Sequence, residues 1–236
     1  EIPTEPIRVT PGESTLATPN VRSTGRLAGT WSLAVDDASL PEGWSWSDET
    51  VGGLTGVEIG INTVWNPHLR IHAPVDALGS DAGYLGLTLT LDEDPENVSV
   101  SASLPLEANR TRGLSLRGPD GTASSIGYGL LDTDAQAWML LHNLGNAAEN
   151  QITISWDSTA WGSNLRLYDM DGAEQPAISL AADEMMMLTA RLGVPSDAVL
   201  GEYVSTPLTM CVGSGEEEAC QTLSLTFEAS GVVTDV

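Results

Sequence analysis

The sequence predicts an all-β protein made of two tandem immunoglobulin-like β-sandwich domains. Apolar residues recur at every second position in many short segments, and Gly, Pro, Asp and Asn separate these segments. Amphipathic helical spacing is hard to find in any window of about 11 residues. The order of features in the first half returns in the second half about 120 residues later, which is typical of an internal repeat. Short alternating strands at regular spacing favour β-sandwiches.

The alternating segments follow one another along the whole chain. In the first half they are 7–10, 31–35, 57–65, 69–75, 84–91 and 98–106. In the second half they are 114–118, 137–143, 151–156, 165–169, 177–182, 185–194, 203–212 and 220–229. Each is bounded by turn-forming residues and is short enough for one strand of a sandwich.

The two halves share an order of local features. Each runs from a Gly turn through an alternating segment to a Gly and a Trp, as in "TGRLAGTWSLAVDDASLPEGW" and "LGNAAENQITISWDSTAWG". Each then has a Pro- and Asp-containing segment before a Tyr, in "APVDALGSDAGY" and "VPSDAVLGEY". A short polar link near 106–113 separates the halves. We therefore expect domains at 1–106 and 107–236.

This pattern resembles the Ig-like modules of the NEW3 and CARDB type, which recur in surface proteins of archaea and bacteria. The matching residues in the second half are Asn143, Gly145, Asn146, Trp161, Asp169, Asp171, Gly172, Val194, Pro195, Asp197, Ala198, Gly201 and Tyr203. Those in the first half are Gly25, Trp44, Pro74, Asp76, Ala77, Gly83 and Tyr84. The first half departs from the pattern at Thr24-Gly25-Arg26, where Asn-Gly-Asn is expected. The resemblance implies a non-catalytic spacer, adhesive or assembly role on the cell exterior, with no particular ligand.

The charge of the chain is strongly acidic. There are 33 acidic and 9 basic residues, for a formal net charge of -24, and all the basic residues are Arg. Such a surface repels nucleic acid and anionic lipid, so neither is an expected partner. The absence of Lys excludes Schiff bases, a P-loop Lys and Lys–Asn isopeptide cross-links. The composition fits a protein from a saline environment, and the alternative is a surface that binds cations.

The two cysteines, Cys211 and Cys220, flank a Gly- and Glu-rich stretch that reads as a hairpin tip. Cysteines on facing strands of a hairpin can form a disulfide, and the alternative is two free thiols. A disulfide would place the protein in an oxidising compartment, so we expect it to be secreted or on the cell surface. Apolar runs are too short to span a bilayer. Asn97 and Asn109 begin N-glycosylation sequons, which support export weakly.

Catalytic motifs are not found in the sequence. It has no Gly-x-Ser-x-Gly elbow, no His-Glu-x-x-His and no Gly-rich phosphate loop. We therefore predict that the protein is not an enzyme and needs no cofactor. Asp169 and Asp171 form an Asp-x-Asp-Gly fragment of a calcium loop, but Asp-Gly between apolar stretches is also a hairpin-turn signal. We favour the turn and keep bound calcium as the alternative.

The chain has seven Trp residues and one Phe. Trp44 and Trp46 lie on one face of "WSW" near a Gly turn, where they would form a platform for stacking on sugars. The alternative is that they pack in the core, because Ig-like sandwiches commonly bury a Trp.

The first residues, "EIPTEPIRVTP", contain a short strand flanked by Pro, with Ile2, Ile7 and Val9 as its apolar positions. Pro restricts such a strand to the edge of a sheet. It would close the first sandwich on itself or pair with the open edge of a second copy. The sequence thus predicts a structural or adhesive surface protein, such as a filament subunit that associates with itself or with other surface proteins. The alternatives are a carbohydrate-binding accessory module with glycan partners and a calcium-stabilised adhesin repeat.

Overall fold

A computed structural model of the protein describes residues 5–23, 28–94, 98–215 and 218–231. These residues form eighteen β-strands and, within these ranges, no α-helix, so no helix of the described chain could cross a membrane. The chain divides into two units, Glu1–Arg110 and Thr111–Val236. The predicted all-β fold with two tandem sandwiches is confirmed. Strand β10 runs through the predicted boundary after residue 106 and ends at Ala108.

The first unit contains ten strands. They are β1 (Ile7–Val9), β2 (Ser14–Ala17), β3 (Val21–Arg22), β4 (Gly29–Asp36), β5 (Ser45–Asp48), β6 (Val57–Ile59), β7 (Val64–Trp65), β8 (Leu69–His72), β9 (Ala82–Leu91) and β10 (Ser99–Ala108). One sheet has the order β1-β10-β9-β4-β6 and a second has the order β2-β8-β5, while β3 and β7 form a separate pair. The alternation of side chains in β8, β9 and β10 places their apolar faces in one core between the two larger sheets.

The second unit contains eight strands. They are β11 (Leu114–Arg117), β12 (Ser124–Leu130), β13 (Asp134–Asn143), β14 (Thr153–Trp156), β15 (Arg166–Tyr168), β16 (Met185–Gly193), β17 (Tyr203–Val212) and β18 (Ala219–Ser230). One layer consists of strands in the order β11-β13-β16-β15, and the other consists of strands in the order β14-β17-β18-β12. A single residue pair, Tyr128 with Gln136, joins the two layers through β12 and β13. This arrangement is that of an immunoglobulin-like sandwich.

Both units pair an early strand in parallel with their last strand. In the first unit β1 runs parallel to β10, and in the second β12 runs parallel to β18. In both units the last two strands form an antiparallel hairpin, β9-β10 and β17-β18. The repeat read from the sequence therefore corresponds to one strand order used twice.

The segment before the penultimate strand also has the same hydrogen bonds in both units. A Pro carbonyl accepts a hydrogen bond from the N–H of the Ala three residues later, and a carboxylate accepts one from the N–H three residues before it. The residues are Pro74, Ala77, Leu78 and Asp81 in the first unit and Pro195, Ala198, Val199 and Glu202 in the second. The shared Pro-x-Asp-Ala motif is thus a turn that directs the chain into β9 and β17.

Several strand predictions differ from the structure. Residues 177–182 form no strand and contribute only an isolated bridge from Leu180 to Glu149. The predicted strand 57–65 is interrupted after Ile59 by a turn in which Asn62 has a positive φ. The strands β2, β3, β5 and β12 were not predicted, because they are very short or contain Gly and Pro neighbours that read as turns.

Candidate functional site

The N-terminal strand β1 pairs with β10 of its own unit. Ile7 lies opposite Leu106, and Val9 lies opposite Ala108, with the Val9 side chain fully buried in the core. On the outer face, Arg8 Nε lies 3.4 Å from a carboxylate oxygen of Glu107. Of the two arrangements expected from the sequence, the structure has the strand closing its own sandwich. Ile2 lies outside the described residues.

The remaining part of the β10 edge has no strand beside it among the described residues. β9 covers one side of β10 from Ser99 to Glu107, whereas β1 covers the other side only from Leu106 to Ala108. Glu5, which would lie opposite Leu104 if the pairing continued, is in a bend and is exposed. Among the described residues, the edge of β10 from Ser99 to Leu104 thus has no strand partner on the side of β1, and we call this part the free edge.

An apolar groove of about 350 Å³ lies beside this free edge. Its lining residues are Pro19, Asn20, Val21, Arg22, Leu33, Leu87, Leu89, Val100 and Ala102. Val100 and Ala102 continue the inward-facing row of Leu104 and Leu106 on β10, but Val100 is 60% exposed. The inner face of the sheet is thus only partly covered at this end, and a strand added to the edge could place side chains there.

The predicted disulfide between Cys211 and Cys220 is present. The two residues lie directly opposite each other on β17 and β18, with their Cα atoms 4.1 Å apart. Glu218 lies close to both sulfurs, but a disulfide sulfur is not a thiolate and does not serve as a metal ligand in this state. This cross-link therefore has a structural role in the hairpin.

The predicted sugar-stacking pair is not presented to solvent as a pair. Trp44 is 7% exposed and packs in the core of the first unit. Trp46 is half-buried against the same core, and its Nε1–H donates to Asp37. Because a buried indole has no free face for a sugar, Trp44 is a core residue. By contrast, Trp156 at the end of β14 is exposed.

Asp169 and Asp171 lie in a tight turn. One Asp169 carboxylate oxygen accepts hydrogen bonds from the N–H groups of Asp171 and Ala173, and the other accepts one from the Gln175 amide. Gly172 has φ of 81°, as this turn requires. The geometry supports the turn interpretation, because both oxygens of Asp169 are already used by donors within the loop.

The two sequons differ in what the structure describes. Asn97 lies outside the described residues. The Asn109 side chain is half-buried, and its amide nitrogen donates to the Thr10 hydroxyl at 3.0 Å. Glycosylation at Asn109 would have to replace this hydrogen bond, and modification at either position stays a prediction.

A cationic pocket in the second unit was not predicted from the sequence. Arg166 on β15 and Arg191 on β16 lie directly opposite each other and line a pocket of about 210 Å³ together with Asp134, Asn164 and Gly193. Five of the nine basic residues fall in alternating segments, so the sequence does not single out this pair; they are Arg8, Arg70, Arg117, Arg166 and Arg191. Their juxtaposition depends on the pairing of β15 with β16, which the sequence does not specify.

Comparisons with known proteins give only distant similarities. No family model matches the chain and no curated protein matches it, so the resemblance to NEW3 and CARDB modules stays a prediction. Among solved structures, a mutant of the adhesin CfaE from enterotoxigenic E. coli aligns over 97% of this chain and 98% of its own, at 9% identity and a TM-score of 0.46. The D1-D2 structure of Rst aligns over 95% and 96%, at 10% identity and a TM-score of 0.46.

A family 123 glycoside hydrolase from Clostridium perfringens aligns over 53% of this chain at 10% identity and a TM-score of 0.37. This chain covers only 28% of that hydrolase. Similarity at these levels assigns no function to the chain.

Proposed function

We propose that the protein is a non-catalytic structural or adhesive protein of the cell exterior, and that its copies assemble by exchanging the N-terminal strand β1. The observation that carries the proposal is the way β1 is attached. It is a three-residue strand held at one sheet edge, and among the described residues no other strand pairs with the rest of that edge.

Exchange of β1 between copies would keep the contacts seen within one copy. Val9 would fill the same position in the core, and Arg8 would meet Glu107 of a neighbouring copy. Because the same hydrogen bonds and buried contacts form in either arrangement, domain swapping has a low energetic cost. In the described part of the chain, the β10 edge from Ser99 to Leu104 has no strand partner on this side and borders the apolar groove, which is where an incoming segment would approach β10.

The expected location on the cell exterior is supported by the disulfide and by the charge. A disulfide between Cys211 and Cys220 persists in oxidising compartments and is rare in the cytosol. A net charge of -24 keeps a repetitive surface structure hydrated and resists non-specific association.

The test is a disulfide trap across the β1–β10 pair in the double variant Arg8→Cys and Glu107→Cys. These positions are directly opposite and exposed to solvent, and neighbouring strands are about 4.8 Å apart, within reach of a disulfide. The variant is oxidised at a protein concentration at which light scattering detects oligomers, and is then run on a non-reducing denaturing gel. Strand exchange predicts covalent dimers and a ladder of larger covalent oligomers.

The matched control is Thr88→Cys with Ser101→Cys, which traps the β9–β10 hairpin of the same sheet. This hairpin stays within one copy, so the control should run as a monomer. If the Arg8→Cys/Glu107→Cys variant also runs only as a monomer with its thiols consumed, β1 closes its own sandwich and the assembly proposal is wrong.

A further inference from the structure

The cationic pocket of the second unit lies on the outer face of the sheet that contains β13, β16 and β15. Asp134 and Gly193 lie opposite each other at the end of the β13–β16 pair, and Arg166 and Arg191 lie opposite each other on β15 and β16. Asn164 precedes β15 and completes the lining. All of these residues belong to one unit, so the pocket does not depend on assembly.

The two arginines are arranged unfavourably for a protein without a ligand. Like charges at directly opposite positions of neighbouring strands destabilise a sheet. The chain has 33 acidic residues, yet neither Arg166 nor Arg191 forms an ion pair with a carboxylate in the described part of the chain. Glu174 and Asp134 lie near Arg166 without forming an ion pair with it, so they offset this repulsion only in part. An arrangement that keeps a cost to stability is typical of a functional site.

Arg191 is held in place but not satisfied. Its guanidinium carbon lies 4.2 Å from the centre of the Tyr168 ring, a cation–π contact that restricts the side chain. Its Nε–H is buried and has no hydrogen-bond acceptor among the described residues. Because this group is shielded from solvent, a ligand in the pocket would be bound by the terminal N–H groups of Arg191.

Arg166 lies beside Arg191 and also interacts with the Tyr168 side chain. A hydrogen bond with the Tyr168 side chain raises the pKa of Arg166, and the nearby carboxylate of Glu174 raises it further. Tyr168 therefore contacts the guanidinium of Arg191 and lies near that of Arg166. Two oriented guanidinium groups match the oxygens of a carboxylate, because Arg binds carboxylates through paired N–H donors.

We propose that this pocket binds a sugar that carries a carboxylate group. The carboxylate would lie between Arg166 and Arg191, while the Asn164 amide and the Asp134 carboxylate would bind the sugar hydroxyls. Asp134 would repel a simple anion, but its oxygens can accept hydrogen bonds from hydroxyl groups. A volume of 210 Å³ lies below the range of about 300–1,000 Å³ typical for drug-sized ligands, so the pocket fits one sugar unit.

A carboxylate from a second copy of this chain is a less suitable occupant. The mixture of donors and acceptors in the pocket matches a ligand with several hydroxyl groups better than a lone carboxylate.

The experiment is a titration of the isotopically labelled full chain with methyl glucuronide, methyl glucoside and sodium sulfate, followed by NMR. We expect methyl glucuronide to shift the backbone signals around Arg166 and Arg191 and to bind at least tenfold more tightly than methyl glucoside. Sodium sulfate should bind at least tenfold more weakly than the glucuronide.

The variant Arg166→Gln should weaken glucuronide binding at least tenfold, because Gln lacks the positive charge and the paired N–H donors of the guanidinium group. The position is exposed on an edge strand, so we expect the fold to tolerate Gln. Arg166→Lys should give an intermediate affinity, since Lys keeps the charge and loses the paired donors. Arg117→Gln is the matched control, because Arg117 is an exposed arginine on the same layer outside the pocket. It should leave glucuronide binding unchanged.

Three results would overturn the proposal. Saturable shifts with equal affinity for sulfate and glucuronide would show a general anion site with no sugar recognition. Equal affinity for the glucoside would show that the arginines do not contribute. No shift near the pocket with a correctly folded wild-type chain would show that it does not bind an acidic sugar. None of these results bears on strand exchange in the first unit.

Discussion

At the scale of single residues, Gly127 and Gly129 of β12 show why the chain uses glycine within a strand. They face inward, where β12 lies directly over the backbone of β13. A Cβ at Gly127 would come within 2.6 Å of the Gln136 carbonyl group, and one at Gly129 would come within 2.5 Å of the Ala135 nitrogen. The glycines therefore permit a close approach of two strands, although in the sequence they read as breaks.

We expect Gly127→Ala to lower the free energy of unfolding by about 1–3 kcal/mol, because the new methyl group must displace backbone atoms. The measurement is urea unfolding followed by tryptophan fluorescence. Gly193→Ala is the matched control on a neighbouring strand, since the nearest atom to its Cβ would be 3.9 Å away. The control should change stability by less than about 0.5 kcal/mol. Equal effects of the two changes would contradict the close approach of β12 and β13.

At the scale of elements, the free edge of β10 is bounded by Pro105. β9 continues past this residue, and β1 pairing starts at Leu106. Proline has no N–H and is tolerated at an edge, so it marks where the free edge ends. In the second unit, the pairing of β17 with β14 ends at Leu208, and Pro207 of β17 is the next residue. Both prolines thus lie in strands at positions where one neighbour is missing.

The disulfide of the β17–β18 hairpin leads to a prediction about stability. Replacing both Cys211 and Cys220 by Ala should lower the free energy of unfolding by about 2–3 kcal/mol, because the disulfide closes a short loop and restricts the unfolded chain. The double variant Thr209→Ala with Thr222→Ala removes a hydrogen bond between exposed side chains of the same hairpin and should cost less than about 1.5 kcal/mol. Urea unfolding compares the two, and an equal loss would mean that the disulfide adds nothing beyond a surface hydrogen bond.

The elements and the candidate sites were predictable to different degrees. The long strands β9, β10, β17 and β18 were predicted from alternation, since half of each faces the core. The disulfide was predicted because a nine-residue separation around a turn places two cysteines on facing strands. The free edge of β10 and the Arg166–Arg191 pair were not predicted, because each depends on which strands lie side by side.

At the scale of the whole molecule, net charge is the dominant property. A formal charge of -24 on 236 residues makes the folded chain repel itself. The ion pairs recorded for described residues, such as Arg70 with Glu49, involve few of the carboxylates. Most of the negative charge is therefore balanced only by ions in solution.

We expect sodium chloride to stabilise the folded protein, because added salt shortens the Debye length from about 10 Å at 0.1 M to about 3 Å at 1 M. The urea midpoint should rise steadily between these concentrations. An uncharged osmolyte at the same osmolality serves as the control for effects other than screening. A midpoint that does not change with salt would show that the acidic residues do not repel one another enough to affect stability.

The sequence by itself determined the all-β class, the twofold repeat, the disulfide and the acidic surface. These properties follow from composition and from periodicities that span only a few residues. Tertiary structure alone decided that β1 closes its own sandwich, that Trp44 is buried and that Arg166 lies opposite Arg191. Each of these depends on the partner and register of a strand, and both are set by packing between residues far apart in the chain.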